Sequence, residues 1–205
     1  MSAPGLRVRL PRLVFGLVLC GLGIAGMVRS NLGLGPWDVL HQGLSELSGI
    51  PIGTVGIIVG FVVLGGWIPL RERLGLGTVL NVILIGVVID VTLLWLPEPD
   101  TLPVRALFLA SGPVLFGVGS GYYIGAGLGP GPRDGLMTGL ARRGMPVGAV
   151  RAGIELTALA LGWLLGGTVG VGTVLFATTI GPLVHVLLPR LAVDDRYREP
   201  VVSAR

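Results

Sequence analysis

The same sequence unit occurs twice in this chain, and the doubling limits its fold more than any other feature. Cys20 to Asp38 aligns without a gap on Phe116 to Asp134. In that register Gly21 and Gly23 meet Gly117 and Gly119, Leu32-Gly33 meets Leu128-Gly129, Gly35-Pro36 meets Gly131-Pro132, and Asp38 meets Asp134. Leu40, Gly43 and Leu44 continue onto Leu136, Gly139 and Leu140. A single deletion then sets Gly49, Pro51 and Gly53 on Gly144, Pro146 and Gly148. It also carries Gly75, Gly77-Thr78-Val79-Leu80 and Gly86 onto Gly170, Gly172-Thr173-Val174-Leu175 and Gly181. Two copies of one unit, about 12–97 and 105–190, predict two copies of one structural motif within a single membrane domain spanning 1–205, with 191–205 as a cytoplasmic tail.

The unit is a membrane unit. Apolar runs cover Leu13–Val28, Ile52–Leu70, Leu76–Leu96, Ala106–Ile124, Val150–Leu165 and Val171–Leu188, and a helix needs roughly 20 residues to cross the hydrocarbon core. Charged residues are 13% of the chain, against about a quarter in soluble domains. The 36 glycines follow no three-residue period, which excludes collagen, and small residues let membrane helices approach closely. The length accommodates these spans without a further soluble domain. Arg7, Arg9 and Arg12 before the first run imitate a secretory leader, but the run has a repeat partner, so a retained span is expected. Cys20 is expected to be a small buried hydrophobe.

Two further segments, Pro36–Ser48 and Pro132–Arg143, read as helices too short to cross, roughly 20 Å or less at 1.5 Å per residue. All the basic residues are Arg, and their placement in the gaps between apolar runs argues against nucleic acid and for the positive-inside rule. If the short helices do not cross, Arg7, Arg9, Arg12, Arg71, Arg73, Arg133, Arg142, Arg143, Arg151, Arg190, Arg196, Arg198 and Arg205 share one side, with only Arg29 and Arg105 opposite. Letting them cross spoils the segregation. The expected architecture is therefore an all-α protein of six transmembrane helices. They form two inverted three-helix repeats, each with a short non-spanning helix after its first span, and both termini are cytoplasmic.

The short helices carry the chemistry. Gly35 and Gly131 stand at the N-cap position, Pro36 and Pro132 at N1, and Asp38 and Asp134 in the first turn, where a carboxylate suits the helix dipole. Asp38, His41, Gln42, Ser45 and Glu46 form one polar face. Such a helix either rests at the headgroups or begins at a buried site, and matched partial helices in two halves are a sequence pointer to a transport site. A cavity touched by both helices would favour the second reading. Asp90 and its repeat partner His185 are further candidates, because ionisable groups in spans are costly and often functional. Glu155 is expected to pair with Arg151 one turn away, and Trp67, Trp95 and Trp163 to sit in aromatic belts. No metal-ligand spacing, phosphate loop or nucleophile pair is present, so neither cofactor nor enzyme activity is expected.

The segments Ser30-Asn31-Leu32-Gly33-Leu34-Gly35-Pro36-Trp37-Asp38-Val39-Leu40, Gly49-Ile50-Pro51-Ile52-Gly53-Thr54 and Gly75-Leu76-Gly77-Thr78 resemble the bacterial YczE-like membrane proteins, within the broader YczE/YyaS/YitT group. The second copy departs from this pattern, with Arg133 where the first has Trp37. The resemblance implies a bacterial cytoplasmic-membrane protein and brings no substrate. The expected function is a small-solute transporter or permease with a site between the repeats at Gly35, Pro36, Asp38, Asp90, Gly131, Pro132, Asp134 and His185. The alternative is a non-transporting accessory or regulatory membrane protein. Expected partners are the lipid bilayer, an unidentified small solute and a second copy of the chain as homo-oligomer.

Overall fold

Each apolar run becomes a helix in the computed structural model, which describes residues 4–197. The described elements are α1 (Leu6–Ser30), α2 (Pro36–Ser48), α3 (Ile52–Gly65), α4 (Trp67–Leu70), α5 (Leu76–Trp95), α6 (Leu102–Gly125), α7 (Pro132–Ala141), α8 (Val147–Leu164) and α9 (Val171–Leu191). A short 3-10 turn follows at Asp195–Tyr197. With α3 and α4 taken as one span, six segments are long and apolar enough to cross a membrane. Arg198 and Arg205, assigned above to the cytoplasmic tail, lie outside the described residues.

α1 is the central helix, with 61% of its span buried in protein against 11% for α8. Glycine explains why α1 and α6 form so close a pair. A methyl added at Gly16 would come within 2.5 Å of the Gly119 carbonyl oxygen, and one at Gly23 within 2.7 Å of the Gly112 carbonyl oxygen. The pairs run in opposite order along the chain, so α1 and α6 are antiparallel. They also obey the rule of a two-fold contact, in which residue i meets j and the copy of j meets the copy of i. In the repeat register Gly112 is the copy of Gly16 and Gly119 that of Gly23. With lipid tails as apolar as the side chains, such close backbone approach supplies the packing that holds the pair.

The same reciprocity recurs where the chain breaks before each short helix. The Gly172 N–H donates to the Leu32 carbonyl at 2.8 Å, and the Gly77 N–H to the Leu128 carbonyl at 2.9 Å. Each bond pairs a first-turn N–H, which has no partner inside its own helix, with a loop carbonyl that hydrocarbon would leave unsatisfied. Gly33, at φ 113°, lies so close to Gly170 that a side chain has no room. Its copy Gly129, at φ 131°, lies against Thr78 and Gly75 in the same way.

One long side chain departs from the sequence expectation. Trp95 and Trp163 are exposed, as belt residues would be, but Trp67 is 1% exposed. It fills the space over Gly135 and donates its Nε1–H to the Pro132 carbonyl at 3.0 Å. Hydropathy cannot tell a tryptophan facing lipid from one facing another helix. Arg133, counted above among the arginines of one face, is half-buried and stacks on Trp37. At one end of the bundle Arg9 and Arg196 bind Asp194 at 3.4 Å and 2.8 Å, tying the segment after α9 to the end of α6. At another Arg29 meets Glu98 at 2.9 Å, and Arg105 donates to the Ser30 carbonyl at 2.8 Å.

Candidate functional site

The first turns of α2 and α7 line one cavity of about 300 Å³. Gly35 and Gly131 are both extended N-caps, with Pro36 and Pro132 opening the helices. Asp38 and Asp134 fold back over these starts: a methyl at either glycine would stand 3.2 Å from the Oδ2 of its own aspartate. The walls are contributed by α3, α5, α6 and α9, with Gly60, Val82, Ile89, Phe116 and Phe176 among the apolar surfaces. Asn81 of α5 and Ser120 and Tyr123 of α6 add polar groups, and Arg151 and Glu155 reach it from α8. This last pair is joined at 3.1 Å, as its i, i+4 spacing predicts.

At the centre, equivalent residues of the two repeats meet. The Arg133 guanidinium lies 4.9 Å from the centre of the Trp37 ring, a cation–π distance. Its Nη2 is 3.9 Å from Asp38 Oδ1. His41, one turn on from Asp38, places Nδ1 3.6 Å from the same oxygen. Asp38 is buried, at 3% exposure. Asp134 is exposed and lines the cavity, with the Tyr123 hydroxyl 3.4 Å from its Oδ2. The Nε1–H of Trp37 is buried with no acceptor among the described residues.

Of the residues singled out from sequence, Pro36, Asp38, Gly131, Pro132 and Asp134 line the cavity, and Gly35 supports its edge against Phe176. Asp90 and His185 do not line it. Asp90 accepts hydrogen bonds from the Gly53 N–H at 2.6 Å, the Thr54 N–H at 2.7 Å and the Thr54 hydroxyl at 2.7 Å. It therefore caps the start of α3 from the neighbouring α5. His185 is exposed on α9. Sequence reasoning placed His41 on the polar face with Asp38 but missed Trp37, Arg133 and Tyr123. For Trp37 and Arg133 the available signal was their mismatch inside an otherwise matched motif.

The arrangement offers a compartment with three carboxylates: Asp38 beside Arg133, Glu155 joined to Arg151, and Asp134 with no ion-pair partner among the described residues. Comparison with known proteins gives the family without a function. A family of unknown function, DUF6198, matches residues 8–189. The chain is 42% identical over 181 residues to an uncharacterized protein of Haemophilus influenzae, covering 88% of this chain and 83% of that one. It is 37% identical over 179 residues to the uncharacterized membrane protein YczE of Bacillus subtilis, covering 85% and 83%. It is 26% identical over 181 residues to the uncharacterized protein YyaS of the same organism, covering 85% and 89%. No solved structure matches. The matches run through the helix starts and the cavity walls alike, and the chain belongs to the DUF6198 family as a YczE-like membrane protein.

Proposed function

We propose that the protein is a small-solute permease of the bacterial cytoplasmic membrane. It works by alternating access between two inverted three-span halves, with both termini in the cytoplasm. The observation that carries this reading is the cavity walled by both short helices, each presenting its first turn and its aspartate. Matched partial helices facing a shared site between inverted repeats are a building plan of secondary transporters. The antiparallel crossing of α1 and α6 supports inversion, as do the reciprocal bonds of Gly172 and Gly77. Arg9, Arg12 and Arg196 gather around the segment after α9, away from Arg29 and Arg105, which supports cytoplasmic termini.

A second observation supports movement. Gly53 and Gly86 face each other's carbonyl oxygens across the α3–α5 seam. Their copies Gly148 and Gly181, on α8 and α9, have nothing within 4 Å of an added methyl. One seam is closed and its counterpart open, as expected of a two-half transporter caught on one side of its cycle.

The test is a solute uptake and export screen in liposomes, with parent protein beside Asp38→Asn and Asp134→Asn, each first shown to melt as the parent does. Flux of at least one solute class, reduced tenfold or more in either variant, is the expected result. Absence of flux across the screen would contradict transport. Sidedness is read separately, by cysteine labelling of Leu47→Cys and Arg142→Cys. Labelling from opposite faces is expected, and labelling from one face would remove the inverted arrangement.

A further inference from the structure

Asp38 and Asp134 hold equivalent positions with unequal partners. Arg133 and His41 stand beside Asp38. The residue placed to serve Asp134 as Arg133 serves Asp38 is Trp37, its repeat counterpart, and Trp37 brings a ring in place of a cation. Among the described residues no Arg or His nitrogen lies within ion-pair distance of Asp134, and Arg151 is joined to Glu155. With His41 neutral, the cavity carries three carboxylates (Asp38, Asp134, Glu155) against two guanidinium groups (Arg133, Arg151). That leaves one negative charge, on an accessible group.

We propose that the cavity binds a small organic cation. Its ammonium or guanidinium head pairs with Asp134, and its apolar body lies against Phe116, Tyr123 and Phe176. The proposal rests on the reading of this cavity as a solute site. Its chemistry is already present once in the molecule, where the Arg133 guanidinium sits between the Trp37 ring and the Asp38 carboxylate. The aromatic faces favour a desolvated cation, and a volume of about 300 Å³ suits a single small organic molecule. Arg133 does not make the site anionophilic, because its charge is shared between Asp38 and Asp134, and the carboxylates lining the cavity outnumber the guanidinium groups.

The test is calorimetric titration of the full chain in lipid nanodiscs with benzylammonium and phenylguanidinium, against benzyl alcohol and benzoate. The two cations should bind at least tenfold more tightly than the alcohol. Asp134→Asn should weaken them tenfold or more without changing the alcohol, and Asp134→Glu should restore them. Thermal melting identifies any variant that fails to fold, and the Glu variant then carries the test. Equal or tighter binding of the alcohol or benzoate would overturn the cation assignment while leaving the cavity a solute site. So would cation binding suppressed by sodium but not by potassium chloride at equal ionic strength, which would make Asp134 an inorganic-cation ligand. Failure of every probe to bind would also overturn it. The transport reading is judged independently, by the liposome flux screen, which uses none of these probes.

Discussion

Gly53 and Gly86 bring α3 and α5 into backbone contact, and Asp90 locks that seam by capping α3 through three hydrogen bonds. Gly148, Gly181 and His185 stand at the matching places of α8 and α9, yet the two glycines touch nothing and the histidine is exposed. Glycine in a helix interior, where Gly86 and Gly181 stand, is about 1 kcal/mol less favourable than alanine. At the closed seam that cost is offset by close packing. At the open seam nothing offsets it in this conformation, which is what a seam that closes in a second conformation would look like. The comparison also assigns different tasks to matched residues: Asp90 is a structural cap, whereas His185 is left free of that task.

The largest effect expected concerns the matched pair Trp67 and Gly162. Trp67 fills the space over Gly135, whereas Gly162 lies against the backbone of Val39 and Leu40. Trp67→Ala should destabilise the fold by about 4 kcal/mol through the void it leaves, read as a lower melting temperature in detergent. Next, Gly53→Val should cost about 3 kcal/mol by overpacking the closed seam, while Gly148→Val should leave stability unchanged or slightly raised. In liposomes, though, Gly148→Val should lose flux, because the added side chain blocks closure. A Gly148→Val protein with full flux would break the comparison. Third, Asp90→Ala should cost about 2 kcal/mol, the upper range for a helix cap, and His185→Ala close to nothing. Equal losses would mean that the α8–α9 seam is locked as well.

The smallest effect concerns the end of the bundle outside both seams. Hydrogen bonding to Arg196 holds the Asp194 carboxyl down at about 2, below its ordinary 3.8, against an opposing effect of burial. A depressed folded-state value stabilises above the ordinary value and ceases to do so as the proton binds in the fold. The contribution is therefore complete above about pH 4 and lost between about pH 4 and 2. A pH series of melting temperatures should show this loss in the parent and not in Asp194→Asn. A matching loss in the variant would place the acid sensitivity elsewhere.

Much of the fold was legible in sequence because its signals are local or repeated. The Gly-Pro starts of α2 and α7, their glycine-bounded loops and the six apolar segments all depend on neighbours within a few residues. Half of the site was legible too, since Asp38 and Asp134 follow those starts. The rest depends on contacts that a repeat alignment does not contain. Alignment equates Trp37 with Arg133 but does not say that they touch, which is a contact between the two repeats. The partners of Asp90 lie 36 and 37 residues away on another helix, so nothing in its own span distinguishes a cap from an ion site. Trp67 was misplaced for the same reason, its partner being Gly135 of the other repeat.

Transport through this cavity would require the α8–α9 seam to alternate while the α3–α5 seam holds the opposite state. The most direct measurement places spin labels at Gly148→Cys and Gly181→Cys, in a Cys20→Ser background, and records the distance distribution by pulsed electron resonance in nanodiscs. Two populations are expected: a long distance for the open seam seen here, and a shorter one whose share changes with lipid or solute conditions. A single long distance under every condition would contradict that alternation.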